Sequence, residues 1–155
     1  MVRGILIATV TVAVLAGCGG GHRTATTQAP SAAGPDQLRA VVRTWARRLN
    51  AGDNAGVARL FRLPAVVEQG PSTYHFTSRT ELEEWHASLP CSGHVLSITV
   101  HGRFALAVFR LGNRPTSPCD GPGERAAAVF EIVRGKIVRW KQVPVPLPPP
   151  RGEHV

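Results

Sequence analysis

Acidic charge, lysine and long apolar runs are all scarce in this 155-residue chain, and each shortage narrows what it can be. The one extended apolar run, Ile5 to Leu15, is too short to cross a bilayer, where a helix needs about 20 residues, so a transmembrane span is excluded there. Ten acidic residues stand against 18 basic ones, which permits a partner of negative charge. Yet lysine occurs only at Lys136 and Lys141, and a basic set that is nearly all arginine has the look of a GC-rich genome rather than a phosphate-binding surface. No RNP-type motif, zinc-finger spacing or helix-turn-helix signal accompanies the arginines, and nucleic acid is excluded as a partner on that ground. No Gly-rich phosphate loop and no Gly-x-Ser-x-Gly elbow occurs, so neither nucleotide chemistry nor a nucleophilic serine is indicated. His86 falls on an expected helix, and His94 and His101 fall on opposite faces of one expected strand. No metal or cofactor site follows from their spacing.

What is present begins with an address. Arg3 precedes the apolar run, which closes on Leu15-Ala16-Gly17-Cys18. These four residues resemble the lipobox of bacterial lipoprotein signal peptides. The resemblance implies cleavage after residue 17 and a diacylglycerol thioether on Cys18, with acylation of the new amine, so that palmitate-type chains anchor the protein on the extracytoplasmic face of the cell membrane. Residues 18–35, rich in Gly, Ser, Thr, Ala and Pro, read as a flexible tether. Residues 36–145 then form one domain of about 110 residues, long enough for a single core. Residues 146–155 are a Pro-rich tail, closed to strand pairing by Pro146 and Pro148 to Pro150.

Within the domain, Leu38, Val41, Val42, Trp45 and Leu49 make one apolar stripe of a helix capped by Asp36 and ending near Gly52. Arg39, Arg43, Arg47 and Arg48 occupy its polar side. Asp53 caps a second short helix carrying Val57, Leu60 and Phe61, which Pro64 stops. Ala65–Glu68 and Thr73–Phe76 are expected as short strands around Gly70-Pro71. Ser78-Arg79-Thr80-Glu81 matches a capping box before a third helix with Leu82, Trp85 and Leu89. From Cys91 the period changes to two. His94 to Val100 and Phe104 to Arg110 form one hairpin, and Arg125 to Val133 and Lys136 to Val143 form another. With Cys18 lipidated, Cys91 and Cys119 are an even pair in an oxidising compartment, and the first hairpin returns the chain beside Cys91. A disulfide between them is expected.

This order of elements resembles the nuclear transport factor 2-like, or SnoaL-like, superfamily. The likeness is carried by Ala51-Gly52-Asp53 with Leu60-Phe61, by Ser78-Arg79-Thr80-Glu81-Leu82, and by Gly135-Lys136-Ile137-Val138-Arg139-Trp140. It implies an α+β cone, with a curved antiparallel sheet of four to six strands packed on three N-terminal helices, and often a pocket inside. It also implies that the exposed sheet pairs into a homodimer. An epoxide-hydrolase-like pattern in the superfamily has Glu-Arg-x-Asp and Trp-Arg-Asp on two strands. Here Arg110 and Trp140 match, while Gly112 and Gln142 stand where the carboxylates would be. The pair that would orient and deprotonate a water is absent. Glu131 is the only acidic residue inside a core strand of the meander, and alternation alone leaves its facing open.

The pocket expected from this likeness holds Trp45, Tyr74, Trp85, Arg110, Glu131, Trp140 and Gln142. The first functional expectation is a non-catalytic, lipid-anchored module that holds a small apolar ligand or an envelope protein. The alternatives are a SnoaL-like hydrolase or isomerase using Arg110 and Glu131, and a basic adaptor to anionic lipid or wall polymer. The anchor carries its own test. Metabolic fatty-acid labelling and membrane partitioning should both disappear in Cys18→Ala, and a Cys18→Ala chain that still labels would overturn the lipobox reading.

Overall fold

The computed structural model describes residues 34–147, so the signal peptide, Cys18, nearly all of the tether and the tail beyond Leu147 lie outside the described residues. Three helices and one curved sheet make up the domain. Helix α1 (Pro35–Asn50) starts two residues earlier than expected, with Gly34 rather than Asp36 at the cap and Pro35 in the first turn. Pro suits that position because its missing N–H would have no partner there. Asp36 therefore lies inside the first turn, where it pairs with Arg39 at 3.0 Å. Leu38, Val42, Trp45, Ala46 and Leu49 form its buried stripe.

The second helix, α2 (Asn54–Ala58), is shorter than expected. Asp53 caps it, its carboxylate accepting the Gly56 N–H at 2.8 Å. Phe61, placed in this helix by its spacing, instead opens strand β1 (Phe61–Gln69), and Pro64 sits inside that strand rather than ending a helix. The ladder to its neighbour shifts register between Phe61 and Val66, which leaves Pro64 free of any need to donate. After β2 (Ser72–Phe76), helix α3 (Arg79–Ser88) opens with the full capping box. Ser78 Oγ accepts the Glu81 N–H, and the Glu81 carboxylate accepts the Ser78 N–H, both at 3.2 Å.

Strands β3 (Cys91–His101), β4 (Phe104–Asn113), β5 (Arg125–Val133) and β6 (Lys136–Val143) complete the sheet in the order β2-β1-β6-β5-β4-β3. The β5–β6 turn places Arg134 and Gly135 both at positive φ, as a two-residue hairpin turn of this hand requires. The sheet is mixed, not antiparallel as expected, because β1 runs parallel to β6. A parallel pair needs a long crossover, and β2, α3 and the meander supply it. The sheet is curved but not closed into a barrel. The helices cover one face, called inner below, and leave the outer face bare. No helix among the described residues is long and apolar enough to cross a membrane.

Which side of each strand faces the helices is decided by volume. On β4 the inner residues are Ala105, Ala107 and Phe109, and on β5 they include Ala128, Phe130 and Ile132. The larger Phe104, Leu106 and Val108 face outward, with Phe104 exposed. Alanines on the inner face leave room for Trp45 of α1, which packs against Phe109 and Phe130 at ring-centroid distances of 5.8 and 5.2 Å. Asn50 locks α1 to the sheet edge: its amide donates to the Gly93 carbonyl at 3.2 Å and accepts the Gly93 N–H at 2.8 Å.

Cys91 and Cys119 form a disulfide across 28 residues of sequence, tying the start of β3 to the loop after β4. Closing a loop of that length should contribute roughly 3–4 kcal/mol through the unfolded state. The double variant Cys91→Ser/Cys119→Ser should lose stability of that order in urea unfolding. An unchanged midpoint would mean that the loop is held by its hydrogen bonds alone.

Candidate functional site

Between the inner face of the sheet and α1 lies a cleft of about 390 Å³, open at one end of the sheet. Its walls are apolar: Trp45 and Leu49 from α1, Leu89 and Pro90 after α3, Phe109 and Leu111 from β4, Ala126 and Ala128 from β5, and Trp140 from β6. Polar groups enter from Gln69 and Gln142, and the exposed carboxylates of Asp120 and Glu124 come from the loop after β4. The disulfide borders the same mouth through Cys91.

Trp140 is the central wall. It stacks on Trp45 at 6.3 Å and takes Trp85 edge-on at 5.5 Å, so side chains from α1, α3 and β6 meet there. The indole N–H of Trp140 has no hydrogen-bond partner, although the residue is only 7% exposed. Buried indole N–H groups normally find a partner, and this one has none among the described residues.

Trp45 differs. Its N–H donates to Nε2 of His86 at 3.2 Å. His86, fully buried on α3, donates from Nδ1 to the Leu82 carbonyl at 2.7 Å, which fixes its tautomer. Rings of Phe61 and Trp85 pack on its other sides at 5.3 and 4.7 Å. Burial among aromatics pushes the His86 pKa down to about 4; the Leu82 carbonyl works against that shift and the Arg114 charge adds to it. With both nitrogens engaged, His86 is a framework residue and not an acid or base for the cleft.

Arg114 was not singled out by sequence reasoning, yet it holds the mouth in place. Its guanidinium, almost wholly buried, donates to the carbonyls of His86 and Leu89 at 2.7 and 2.8 Å and to Asn54 Oδ1 at 2.7 Å. It thereby caps the C-terminus of α3 and joins it to α2. Desolvation lowers its pKa from the ordinary arginine value. Ser117 and Cys119 continue the lock, Ser117 Oγ donating to the Pro90 carbonyl at 3.0 Å and the Cys119 N–H to Asn113 Oδ1 at 3.0 Å. The only sequence signal for this role was an arginine in a Gly/Pro-rich loop.

Of the seven residues expected in the pocket, Trp45, Trp140 and Gln142 line the cleft. Trp85 stands behind Trp140. Tyr74 lies half-exposed on β2 and stacks on Phe76 at 6.1 Å, outside the cleft. Arg110 and Glu131 are on the wrong face. Phe109 and Phe130 point inward, and strand alternation therefore turns Arg110 and Glu131 outward. Glu131 accepts from Arg103 Nε at 2.9 Å there. Gly112 shares the outward face of Arg110, so the match of Arg110 and Gly112 to an inward catalytic strand was one residue out of register. Cys91, Cys119 and Asp120 cluster as metal ligands would, but the two sulfurs are spent in the disulfide and offer no thiolate.

No family profile matches the chain, and no curated protein matches it in sequence. Solved structures do. A candidate polyketide cyclase from Sinorhizobium meliloti superposes with a TM-score of 0.55 at 21% identity, over 67% of this chain and 94% of that one. The fold is nuclear transport factor 2-like. A candidate ketosteroid isomerase from Kribbella flavida gives 0.55 at 22% identity, covering 77% and 87% of the two chains. A nuclear transport factor 2-like protein of unknown function from Burkholderia xenovorans gives 0.55 at 18%, covering 77% and 94%. At these identities the likeness concerns the SnoaL-like fold.

The His86 environment has a pH consequence. Above pH 6.5 the imidazole is neutral in both folded and unfolded chains; below it the unfolded chain takes up a proton that the fold refuses down to about pH 4. Stability should therefore fall as pH drops through that window, by about 3 kcal/mol at its foot. Urea unfolding from pH 7 to 4.5 should show this slope, and His86→Gln should flatten it. An equal slope in His86→Gln would place the proton elsewhere.

Proposed function

We propose that this protein is a lipid-anchored, extracytoplasmic binding domain that holds a small, largely apolar molecule in the inner-face cleft and does not turn it over. The observation that carries this reading is the Trp140 indole in an otherwise apolar wall, its N–H without a partner among the described residues, in a cleft that Gln69 and Gln142 also line. Such a lining suits a flat apolar body bearing a hydrogen-bond acceptor, since apolar walls supply affinity and a few placed polar groups supply orientation. Fused-ring ketones fit that description, and the names of the Sinorhizobium and Kribbella neighbours point to the same chemical class.

Turnover would need a proton carrier facing the bound molecule. Arg110 and Glu131, the pair on which a hydrolase or isomerase reading rested, face away from the cleft. Gln142 does not titrate, and His86 is locked between Trp45 and Leu82. Asp120 and Glu124 lie on the exposed loop at the mouth, where they favour a ligand without negative charge.

Quenching of tryptophan fluorescence by aryl ketones of two to four fused rings tests the proposal. Saturable binding should weaken about tenfold in Trp140→Phe, the loss of one buried hydrogen bond. Gln142→Leu should change the preference between ketone and parent hydrocarbon. Equal affinity of the wild type and Trp140→Phe for the ketone would remove the indole from recognition. Turnover of the ketone that survives purification would end the non-catalytic reading.

A further inference from the structure

The outer face of the sheet is not uniform in charge. At the end nearest the β3–β4 turn every strand carboxylate has cations beside it: Glu131 pairs with Arg103, and Glu68 pairs with Arg139 at 3.4 Å and with Lys141 at 2.7 Å. At the opposite end, three nitrogen-bearing side chains occupy one row across three strands. His94 on β3 is in register with Arg110 on β4, and Arg110 with Arg125 on β5. All three are exposed, and among the described residues neither arginine forms an ion pair. Like charges directly opposite one another on neighbouring strands repel, so the Arg110–Arg125 pair carries an electrostatic cost that no ion pair among the described residues offsets.

The floor beside the row is also incomplete. Ser92 pairs in register with Gly112, one step beyond the His94–Arg110 pair. Ser92 is 3% exposed, and its Oγ has no hydrogen-bond partner. Gly112 leaves a notch there: a Cβ would stand 3.1 Å from Ser92 Oγ and 3.8 Å from His94 Nε2. Buried hydroxyls are almost always hydrogen-bonded, and this one, beside the notch, has no partner among the described residues.

We infer that His94, Arg110 and Arg125, with Ser92 Oγ and the notch at Gly112, form a binding site for a phosphate oxyanion. Arginine forks match phosphate oxygens in a bidentate fashion, a serine hydroxyl donates to a further oxygen, and the bound charge relieves the Arg110–Arg125 repulsion. The His94–Arg110–Arg125 row is on the opposite side of the sheet from the cleft, whose mouth Ser92 also borders, and phosphate binding on the row is tested separately from the ligand proposed for the cleft. It also gives the basic composition a specific location on β3 to β5, in place of the arginine side of α1.

Two soluble probes separate the sources of such a group: inorganic phosphate for the free ion, and glycerophosphoglycerol for the head of an anionic lipid. Each is titrated into the full-length chain in detergent at low and moderate salt, following the Nε–Hε signals of the arginines by nuclear magnetic resonance. Saturable shifts of Arg110 and Arg125 with either probe support the site, and the tighter probe names the source. Arg110→Gln, Arg125→Gln and Gly112→Ala should each weaken binding by tenfold or more, whereas Arg43→Gln, on the exposed side of α1, should not. Absence of saturable shifts with both probes, or equal weakening by Arg43→Gln, would overturn the inference.

Discussion

A fully buried imidazole with both nitrogens committed is the constraint on which the rest of this domain depends. His86 sits among Trp45, Phe61 and Trp85, where water cannot reach it, so each ring nitrogen must find its partner inside the protein. Nε2 takes the Trp45 N–H from α1, and Nδ1 gives its proton to the Leu82 carbonyl one turn back on α3. Arg114 then fastens the His86 and Leu89 carbonyls to the loop after β4. One residue thereby sets the spacing of two helices and, through Arg114, the position of the loop bordering the cleft. Here rigidity comes from the hydrogen bonds of His86 and of the Arg114 terminal nitrogens added to the apolar packing.

The two faces of the sheet have diverged in chemistry. Small residues at Ala105, Ala107 and Ala128 admit Trp45 and leave space for the cleft, while Phe109, Phe130 and Trp140 supply the aromatic body of the core. The outer face carries the charges: compensated ones around Glu68 and Glu131, uncompensated ones at Arg110 and Arg125. Alternation makes this separation possible, since adjacent residues on one strand serve opposite surfaces without interfering.

Much of this was legible in the sequence, in proportion to how local each determinant is. The α1 stripe, the Asp53 cap and the Ser78–Glu81 box are decided within a few residues, and they place all three helices. The Cys91–Cys119 pairing follows from counting and one hairpin. The order of elements was enough to name the fold. Determinants set by distant partners were not readable. Pro64 looked like a helix stop because the register shift between β1 and β6 that accommodates it is a tertiary event. The parallel β1–β6 pairing joins the two ends of the domain and has no local signature. Alternation on β4 separates Phe104, Leu106, Val108 and Arg110 from Ala105, Ala107 and Phe109 without saying which set faces the helices; the volume of Trp45 awards that side to the alanines, and Arg110 and Glu131 turn outward. Arg114 and the unpartnered Trp140 N–H gave no pattern in sequence, because a hydrogen bond made or missing across the fold leaves no spacing behind.

Trp45 and Trp140 stack on each other in one aromatic cluster, yet the Trp45 N–H holds the frame through His86 while the Trp140 N–H has no partner among the described residues, and the proposed binding function gives that N–H to the ligand. The most direct measurement is the nitrogen–proton spectrum of the three indole groups during titration with a fused-ring ketone. On saturation the Trp140 indole proton should move and become protected from exchange, while the Trp45 signal should be slow to exchange from the start and stay in place. A titration that moves the Trp45 signal and leaves Trp140 unchanged, or that moves neither, would contradict that function.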